Sequence, residues 1–243
     1  MSPAQSAGPV ARLERLRGAL RARELDVLLV EPAVDLRYLL GFTAEDGDGL
    51  AAVRAEGPAL FLTDFRYQEQ AAEQVPSEVE TRIVRGELID SLAEALDTDV
   101  GRLGFDDTEL TVARHRRLGE LLEGRAELVA SPGLVRDLRL VKDAEEIGRI
   151  RAATELADEA LSAILADGLV GRTERDVAVE LEVRMRRMGA EAPSFPPIVA
   201  AGAHGALPHA EPRDVEILPD LLVVIDWWAK LDGYCSDCTR SAR

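Results

Sequence analysis

Two carboxylates lie in one predicted hairpin near the C-terminal end of the chain. Asp226 and Asp237 lie on either side of a turn signal, the dipeptide DG at positions 232–233. Both central positions of a two-residue hairpin turn require a positive φ, which this dipeptide adopts readily. With that turn, Asp226 pairs with Thr239, and Asp237 is its diagonal neighbour on the same face, with Cα atoms about 7–8 Å apart. A wider four-residue turn would place the aspartates directly opposite each other, so both registers leave them on one face.

Two carboxylates on one face need a positive partner or a shared proton. The apolar run Leu221–Ile225 precedes Asp226, so we expect this carboxylate to be buried or half-buried. At a separation of about 5 Å and an effective dielectric constant of 20, two ionised carboxylates repel each other by about 3 kcal/mol. Such a pair shares a proton, meets a cationic side chain or binds a metal. Paired carboxylates suit divalent ions, including pairs of ions. The alternative is a solvated face that carries two unrelated aspartates.

Two of the three histidines flank a short loop. His204 and His209 lie on either side of the sequence GALP. Its glycine and proline place both histidines on a loop, where functional side chains are common. An imidazole acts as a ligand, as a general acid or base, or as a packed hydrogen-bonding group, and taken alone each histidine is explained by packing. His115 lies in an arginine-rich helix and is predicted to be a surface residue.

The two cysteines, Cys235 and Cys238, have the C-x-x-C spacing of a redox pair or of half a zinc site. They lie in a predicted strand, however, where residues three apart point to opposite faces. Because the two thiols cannot then converge easily on one metal, the redox or zinc interpretation is the weaker one.

Alternating helices and strands predict an α/β unit in the first part of the chain. Leucines recur at helical spacing between Val10 and about Glu24, which predicts an amphipathic helix. Strands are predicted at 26–30, 50–54, 59–62, 79–84, 101–105 and 126–130, with helices at 65–75, 87–96 and 108–122. Residues 32–42 are interpreted as a loop that enters another apolar element.

A different pattern follows the sequence SPG at positions 131–133. Residues 134–165 form one long helical pattern. A second helix begins after the capping residue Thr173 and ends at Gly189. A proline-bounded strand is then predicted within residues 193–202, before the C-terminal hairpin.

The composition is that of a globular and strongly acidic chain. Of its 243 residues 47% are apolar, and 29 basic against 45 acidic side chains give a formal net charge of −16. The apolar share excludes wholesale disorder, and the negative charge argues against nucleic acid or a membrane as a partner. No apolar run approaches the ~20 residues needed to span a bilayer. The first ten residues lack the basic start and apolar core of a secretory signal, so we expect a cytoplasmic protein.

Two C-terminal segments together resemble a family of metallopeptidases. They read SFPPIVAAGAHGALPHAEP and LVVIDWWAKLDGYCSDCTR, and they are similar to the family that contains Xaa-Pro aminopeptidase, proline dipeptidase, methionine aminopeptidase and creatinase. In that family a histidine after a proline precedes an aspartate at the end of an apolar strand, and a second aspartate follows eleven positions later. The matching positions here are His209, Asp226 and Asp237.

The front of the chain is similar to the creatinase-type N-terminal domain. The similar segments are LDVLLVEPAVDLRYLLGF, FLTDFRYQEQA and the bridging LRLVKDAEEIGRIRAA, so the resemblance spans nearly the whole chain. It implies an α/β creatinase-like N-terminal domain over residues 1–135. The first half of an α+β pita-bread metallopeptidase domain would follow over residues 136–243.

The resemblance also implies an activity, the hydrolytic removal of the N-terminal residue of a peptide that has proline second. Two divalent ions, typically Mn²⁺ in this subgroup, would activate water for attack on the scissile carbonyl. Asp226 would chelate one ion and Asp237 would bridge both. His209 would lie at the substrate and donate a hydrogen bond or a proton. No other cofactor-binding residue is predicted, and relatives lead us to expect a homodimer.

The sequence departs from the family pattern in two ways. The family's remaining ligands, a histidine and two glutamates, lie further downstream, whereas this sequence ends at Arg243, six residues after Asp237. Trp227 and Trp228 replace the usual Phe-Gly pair, and a tryptophan on the metal-facing side is expected to crowd the site. We therefore expect little or no activity from the chain as given. The alternatives are a non-catalytic interaction protein on the same fold and a hydrolase of a non-peptide amide such as creatine.

Overall fold

A computed structural model describes residues 8–96, 99–192 and 196–243 of the chain. The described part forms two compact units that divide between Asp143 and Ala144. The prediction that no secretory signal is present concerns the first ten residues, and the first seven of these lie outside the described residues. So does the beginning of the strand predicted within residues 193–202.

The first unit is built on a six-stranded mixed sheet in the order β4-β3-β2-β1-β5-β6. Its strands are β1 (Val27–Val30), β2 (Gly49–Arg54), β3 (Leu60–Asp64), β4 (Glu80–Val84), β5 (Gly101–Phe105) and β6 (Ala126–Ala130). The pairs β3/β4, β1/β5 and β5/β6 are parallel, and the pairs β1/β2 and β2/β3 are antiparallel.

Helices cover both faces of this sheet. They are α1 (Pro9–Ala22), α2 (Ala33–Leu40), α3 (Gln68–Gln74), α4 (Leu88–Ala95), α5 (Val112–Leu121) and α6 (Leu134–Leu140). Residues of β1 alternate between two apolar clusters: Leu28 and Val30 pack with α1, α2 and α6, whereas Val27 and Leu29 pack with α4 and α5. This period of two is the expected result of burying both faces of a strand, and the predicted three-layer α/β unit is confirmed.

The structure corrects three predicted elements of the chain. The segment interpreted as a loop at 32–42 contains helix α2, which ends at Gly41 in the left-handed conformation. The helix predicted at 65–75 starts with a 3-10 turn, Phe65–Tyr67, although Asp64 does cap it by accepting a hydrogen bond from the backbone of Arg66. The long helical pattern at 134–165 is two helices, because the β-branched Val141 takes an extended conformation after α6.

The first compact unit extends to Asp143, and the domain boundary at 135 stays a prediction. Two observations explain why residues 134–143 belong to this unit. Leu134 and Val135 belong to the same apolar cluster as α1 and α2. The buried carboxylate of Asp143 accepts hydrogen bonds from Nε and Nη2 of the buried Arg12, at 3.2 and 3.0 Å. Packing and a long-range ion pair therefore decide where this unit ends.

The second unit packs two helices on a three-stranded antiparallel sheet in the order β11-β8-β7. The helices are α7 (Ala144–Asp167) and α8 (Glu174–Arg187). The strands are β7 (Ile198–Ala201), β8 (Val223–Trp227) and β11 (Cys238–Ala242), and the short β9 (Lys230–Leu231) and β10 (Tyr234–Cys235) form the tip of the last hairpin. Trp227 lies at the centre of this core, fully buried, and its indole N–H donates to the carbonyl of Ala157 at 2.8 Å.

None of the helices in the described ranges has the length and the apolar content that a bilayer-spanning helix requires.

Candidate metal centre

The hairpin that carries the two aspartates has the predicted two-residue turn. Asp232 and Gly233 both have positive φ, 47° and 73°. The strands pair in the corresponding register, with Leu231 opposite Tyr234 and Asp226 opposite Thr239. The register predicted from the DG dipeptide is therefore confirmed, and the four-residue turn is excluded.

A hydrogen-bonded pair keeps this register between the tip of the hairpin and the three-stranded sheet. The backbone N–H of Ser236 donates to the carbonyl of Ala229 at 3.0 Å. In return, the backbone N–H of Ala229 donates to the Ser236 hydroxyl at 2.9 Å. Because both residues are buried, this link holds the strand ends that carry Asp226 and Asp237 at a fixed distance along the hairpin.

Asp226 is half-buried near the end of β8, as the preceding apolar run predicted. Its Oδ1 accepts a hydrogen bond from the hydroxyl of its cross-strand partner Thr239 at 2.5 Å. This bond orients the carboxylate without neutralising it. Within the described ranges, Asp226 forms no ion pair with an arginine, lysine or histidine.

Asp237 is exposed and directly precedes β11. Among the residues that the structure describes, its side chain forms neither a hydrogen bond nor an ion pair. Both aspartates influence the neighbouring thiol: burial raises the pKa of Cys238, and the negative charges of Asp158, Asp237 and Asp226 raise it further, against the effect of Arg240. The two carboxylates thus form a region of negative charge that the described side chains do not fully neutralise.

The histidine predicted to act at the substrate lies on a separate segment. His209 is exposed on the loop between β7 and β8, shortly after a 3-10 turn at Gly202–Ala206. In the described part of the chain it forms no hydrogen bond or ion pair with Asp226 or Asp237, and no group of three or more His, Cys, Asp or Glu side chains there is arranged to hold a metal ion. The two aspartates thus belong to one hairpin, and His209 belongs to the loop between β7 and β8.

The structure also describes the other residues that the sequence analysis considered, which are one histidine, the two cysteines and the second tryptophan. His115 is exposed, with its ring 4.9 Å from that of Phe105. Cys235 and Cys238 lie on two different strands, β10 and β11, as thiols and not in a disulfide; Cys235 is exposed and Cys238 is partly buried. Trp228 follows the core residue Trp227 and is also fully buried. By strand alternation it belongs to the face of Asp226, so its crowding of a metal stays a prediction.

A buried carboxylate in the same unit was not predicted from any sequence pattern. Glu174 is the first residue of α8, directly after the predicted cap Thr173, whose hydroxyl accepts a hydrogen bond from the backbone of Asp176 at 3.0 Å. The side chain of Glu174 is fully buried and interacts with His204 and Arg213. Only the cap was visible in the sequence, because the partners come from a distant loop.

The charge of Glu174 is stabilised by its hydrogen bonds. Burial alone would raise the pKa of this carboxyl. The bonds donated by the Arg213 side chain, the backbone N–H groups of Ala201 and Arg213 and the His204 ring outweigh burial and lower its pKa to about 2. Glu174 is therefore ionised at neutral pH. As an acceptor it requires the proton of His204 to lie on Nδ1, which is 3.0 and 3.1 Å from its two oxygens.

Two families of known proteins match the two units. Residues 12–141 match the Creatinase/Prolidase N-terminal domain, and residues 148–242 match metallopeptidase family M24. The chain belongs to the creatinase/prolidase family. The first match corresponds to the α/β first unit of this creatinase/prolidase chain, and the second match corresponds to its α+β second unit. The predicted family and fold class are therefore confirmed.

Relatives of this creatinase/prolidase chain are longer than the sequence given. The uncharacterized peptidase YqhT of Bacillus subtilis is 38% identical over 231 residues, which cover 95% of this chain and 64% of YqhT. The Xaa-Pro dipeptidase of Pyrococcus furiosus is 31% identical over 95% of this chain and 64% of its own length. The solved structure of an Xaa-Pro dipeptidase from Bacillus anthracis matches with a TM-score of 0.87 and 35% identity, covering 96% of this chain and 64% of that one. The chain thus spans a little under two thirds of these relatives.

Proposed function

We propose that the chain is a metal-dependent hydrolase of the aminopeptidase type that releases an N-terminal residue preceding proline. Asp226 and Asp237 are its metal ligands in this proposal, and His209 acts at the substrate. The observation that carries it is the hairpin register, because the pairing of Asp226 with Thr239 is the one in which strand alternation predicts both aspartates on one face. The M24 match of residues 148–242 supports the same class of activity.

The donor set fits a hard divalent cation. Both side chains offer carboxylate oxygens, which Mn²⁺ and similar ions favour. The hydroxyl of Thr239 occupies Oδ1 of Asp226, which leaves Oδ2 for a ligand interaction. Asp237 is exposed and accessible to an ion from solvent. We propose two Mn²⁺ ions, which when bound polarise a carbonyl and make water more acidic.

The residues of this chain then have distinct tasks. Thr239 holds the Asp226 carboxylate in one orientation, so that its free oxygen is presented to a cation. The imidazole of His209 is exposed and donates a hydrogen bond to the peptide carbonyl as negative charge develops on its oxygen. The names of two relatives, both Xaa-Pro dipeptidases, support a substrate with proline in the second position. The expected homodimer stays a prediction.

Hydrolysis of an Xaa-Pro dipeptide with added Mn²⁺ tests this function. We expect slow, Mn²⁺-dependent release of the first amino acid, because no group of three or more His, Cys, Asp or Glu side chains in the described ranges is arranged to hold a metal ion. The variant that combines Asp226→Ala and Asp237→Ala is expected to lose this release, and His209→Ala is expected to reduce it by about 10²-fold or more, as removal of a proton donor does. Turnover that survives the double substitution would reject the assigned ligands.

A non-catalytic interaction protein on the same fold is the second candidate. The observation that favours it is the bulky, fully buried Trp228 beside Asp226. Absence of any Mn²⁺-dependent turnover in the same assay would overturn the hydrolytic function for this chain and leave the interaction protein.

A further inference from the structure

The loop that carries His209 is fastened at both ends to one side chain. At its start, the backbone N–H of Ala201 donates to Oε1 of Glu174 at 2.8 Å. At its end, the backbone N–H of Arg213 donates to Oε2 of the same carboxylate at 3.1 Å. Twelve positions separate these two N–H groups in sequence, and His209 lies between them. A single buried carboxylate therefore closes this stretch into a loop of fixed width.

Side chains from within the loop and from its end complete the coordination of Glu174. Nδ1 of His204 lies 3.1 and 3.0 Å from Oε1 and Oε2. The guanidinium of Arg213 donates to both oxygens, each at 3.1 Å, in a bidentate arrangement. The carbonyl of His204 in turn accepts the N–H of Leu207 at 3.1 Å, two residues before His209. The interactions thus extend from Glu174 to the immediate neighbourhood of His209.

Glu174 is itself held in place by regular structure. It is the first residue of α8, and its own N–H donates to the carbonyl of Val215 at 3.1 Å. The next residue, Arg175, donates its N–H to the carbonyl of Arg213 at 3.2 Å. The Glu174 side chain is fully buried. Water can therefore replace it as the acceptor of the hydrogen bonds from Ala201, His204 and Arg213 only if the loop opens.

We propose that Glu174 is a positioning residue for His209: it fixes the ends and the interior of the loop so that the exposed imidazole keeps one orientation. The inference rests on the proposed function only in taking His209 as the group that meets the substrate. Among the described residues Glu174 forms no hydrogen bond or ion pair with His209 or with the two aspartates, so it acts through Ala201, His204 and Arg213.

The test compares two carboxylates of the same helix in the metal-free chain. Glu174→Ala removes the carboxylate that accepts the hydrogen bonds from Ala201, His204 and Arg213. Glu180→Gln is the matched control, because Glu180 also binds two arginines, Arg172 and Arg184, but has no bond to the loop. Amide hydrogen exchange is measured for peptides that cover residues 201–213. Ring signals of the histidines are recorded by NMR. Because the chain has three histidines, their signals are few enough to assign.

In Glu174→Ala, exchange in residues 201–213 is expected to rise about tenfold or more while α7 keeps its protection, and the ring signals of both His204 and His209 are expected to move. Glu180→Gln is expected to leave all of these unchanged. If Glu174→Ala does not fold, the isosteric Glu174→Gln, which keeps one acceptor oxygen, is expected to show the same pattern with a smaller change.

Unchanged His209 signals in a folded Glu174 variant would overturn the proposal. So would exchange that rises equally throughout the second unit, since that marks a merely structural role. Because these readouts need neither metal nor substrate, they are independent of hydrolysis. A chain that fails to cleave peptides yet shows the loop effect rejects the proposed function and keeps the role of Glu174 in fixing the loop.

Discussion

Replacing Trp227 by alanine is expected to destabilise the second unit by about 3–5 kcal/mol, the usual cost of deleting a buried aromatic side chain. The indole is fully buried among apolar residues of α7, α8, β7 and β8. Its N–H also donates to the carbonyl of Ala157 at 2.8 Å, so the substitution removes both packing and a buried hydrogen bond. A loss of this size is a large part of the stability of an ordinary domain.

Urea unfolding followed by tryptophan fluorescence measures this loss. Both tryptophans of the chain lie in the second unit, so Trp228 still reports on that unit after Trp227 has been removed. Trp227→Phe, which retains most of the buried area, is expected to cost less. Leu222→Ala is the matched control, because Leu222 directly precedes β8 but is 55% exposed, and it is expected to change stability by about 0.5 kcal/mol or less. Equal midpoints for Trp227→Ala and Leu222→Ala would contradict this account of the core.

Asp143→Ala is expected to destabilise the first unit by about 3–5 kcal/mol. The substitution removes a buried carboxylate that forms an ion pair with the buried guanidinium of Arg12, and removing one partner of such a pair costs more than the net value of the pair. The guanidinium also donates to the carbonyl of Tyr38 at 3.2 Å and lies 4.7 Å from the centre of its ring, and both of these groups are uncharged.

Far-UV circular dichroism and hydrogen exchange of α1 report the stability of the first unit. The control is Glu14→Ala on the same helix, which removes a 58% exposed carboxylate paired with Arg17 and is expected to cost less than about 1 kcal/mol. Asp143→Asn is expected to lie between the two. A first unit that unfolds at the same urea concentration with and without Asp143 would show that the buried pair does not hold α1 in place.

Local signals in the sequence were sufficient for the elements that carry the aspartates. The DG dipeptide determines the turn, and a side-chain period of two then places Asp226 and Asp237 on one face. The cap at Thr173 and the amphipathic helix α1 follow in the same way from neighbouring residues. Such features are predictable because turn and cap energies depend on a few residues that are adjacent in sequence.

Long-range pairs were not predictable from the sequence alone. Arg12 and Asp143 are 131 positions apart, and nothing at either position marks the other as its partner. Glu174 likewise meets residues that lie 27 to 39 positions later. The chain has 45 acidic residues, and only the folded structure shows that Glu174 is buried against its partners. The period of the apolar residues also did not reveal the break between α6 and α7, which lies at the extended residue Val141.

The measurement that tests the metal centre most directly is Mn²⁺ binding by the chain, followed by electron paramagnetic resonance. We expect the unmodified chain to bind Mn²⁺ with a Kd of about 1 mM or below. The combined Asp226→Asn and Asp237→Asn variant is expected to bind it at least about tenfold more weakly. The control is Asp232→Asn, which removes a carboxylate from the same hairpin but keeps a favourable Asn-Gly turn, and it is expected to bind like the unmodified chain. Binding that is equally tight in the double variant, or absent from the unmodified chain, would contradict a metal centre at Asp226 and Asp237.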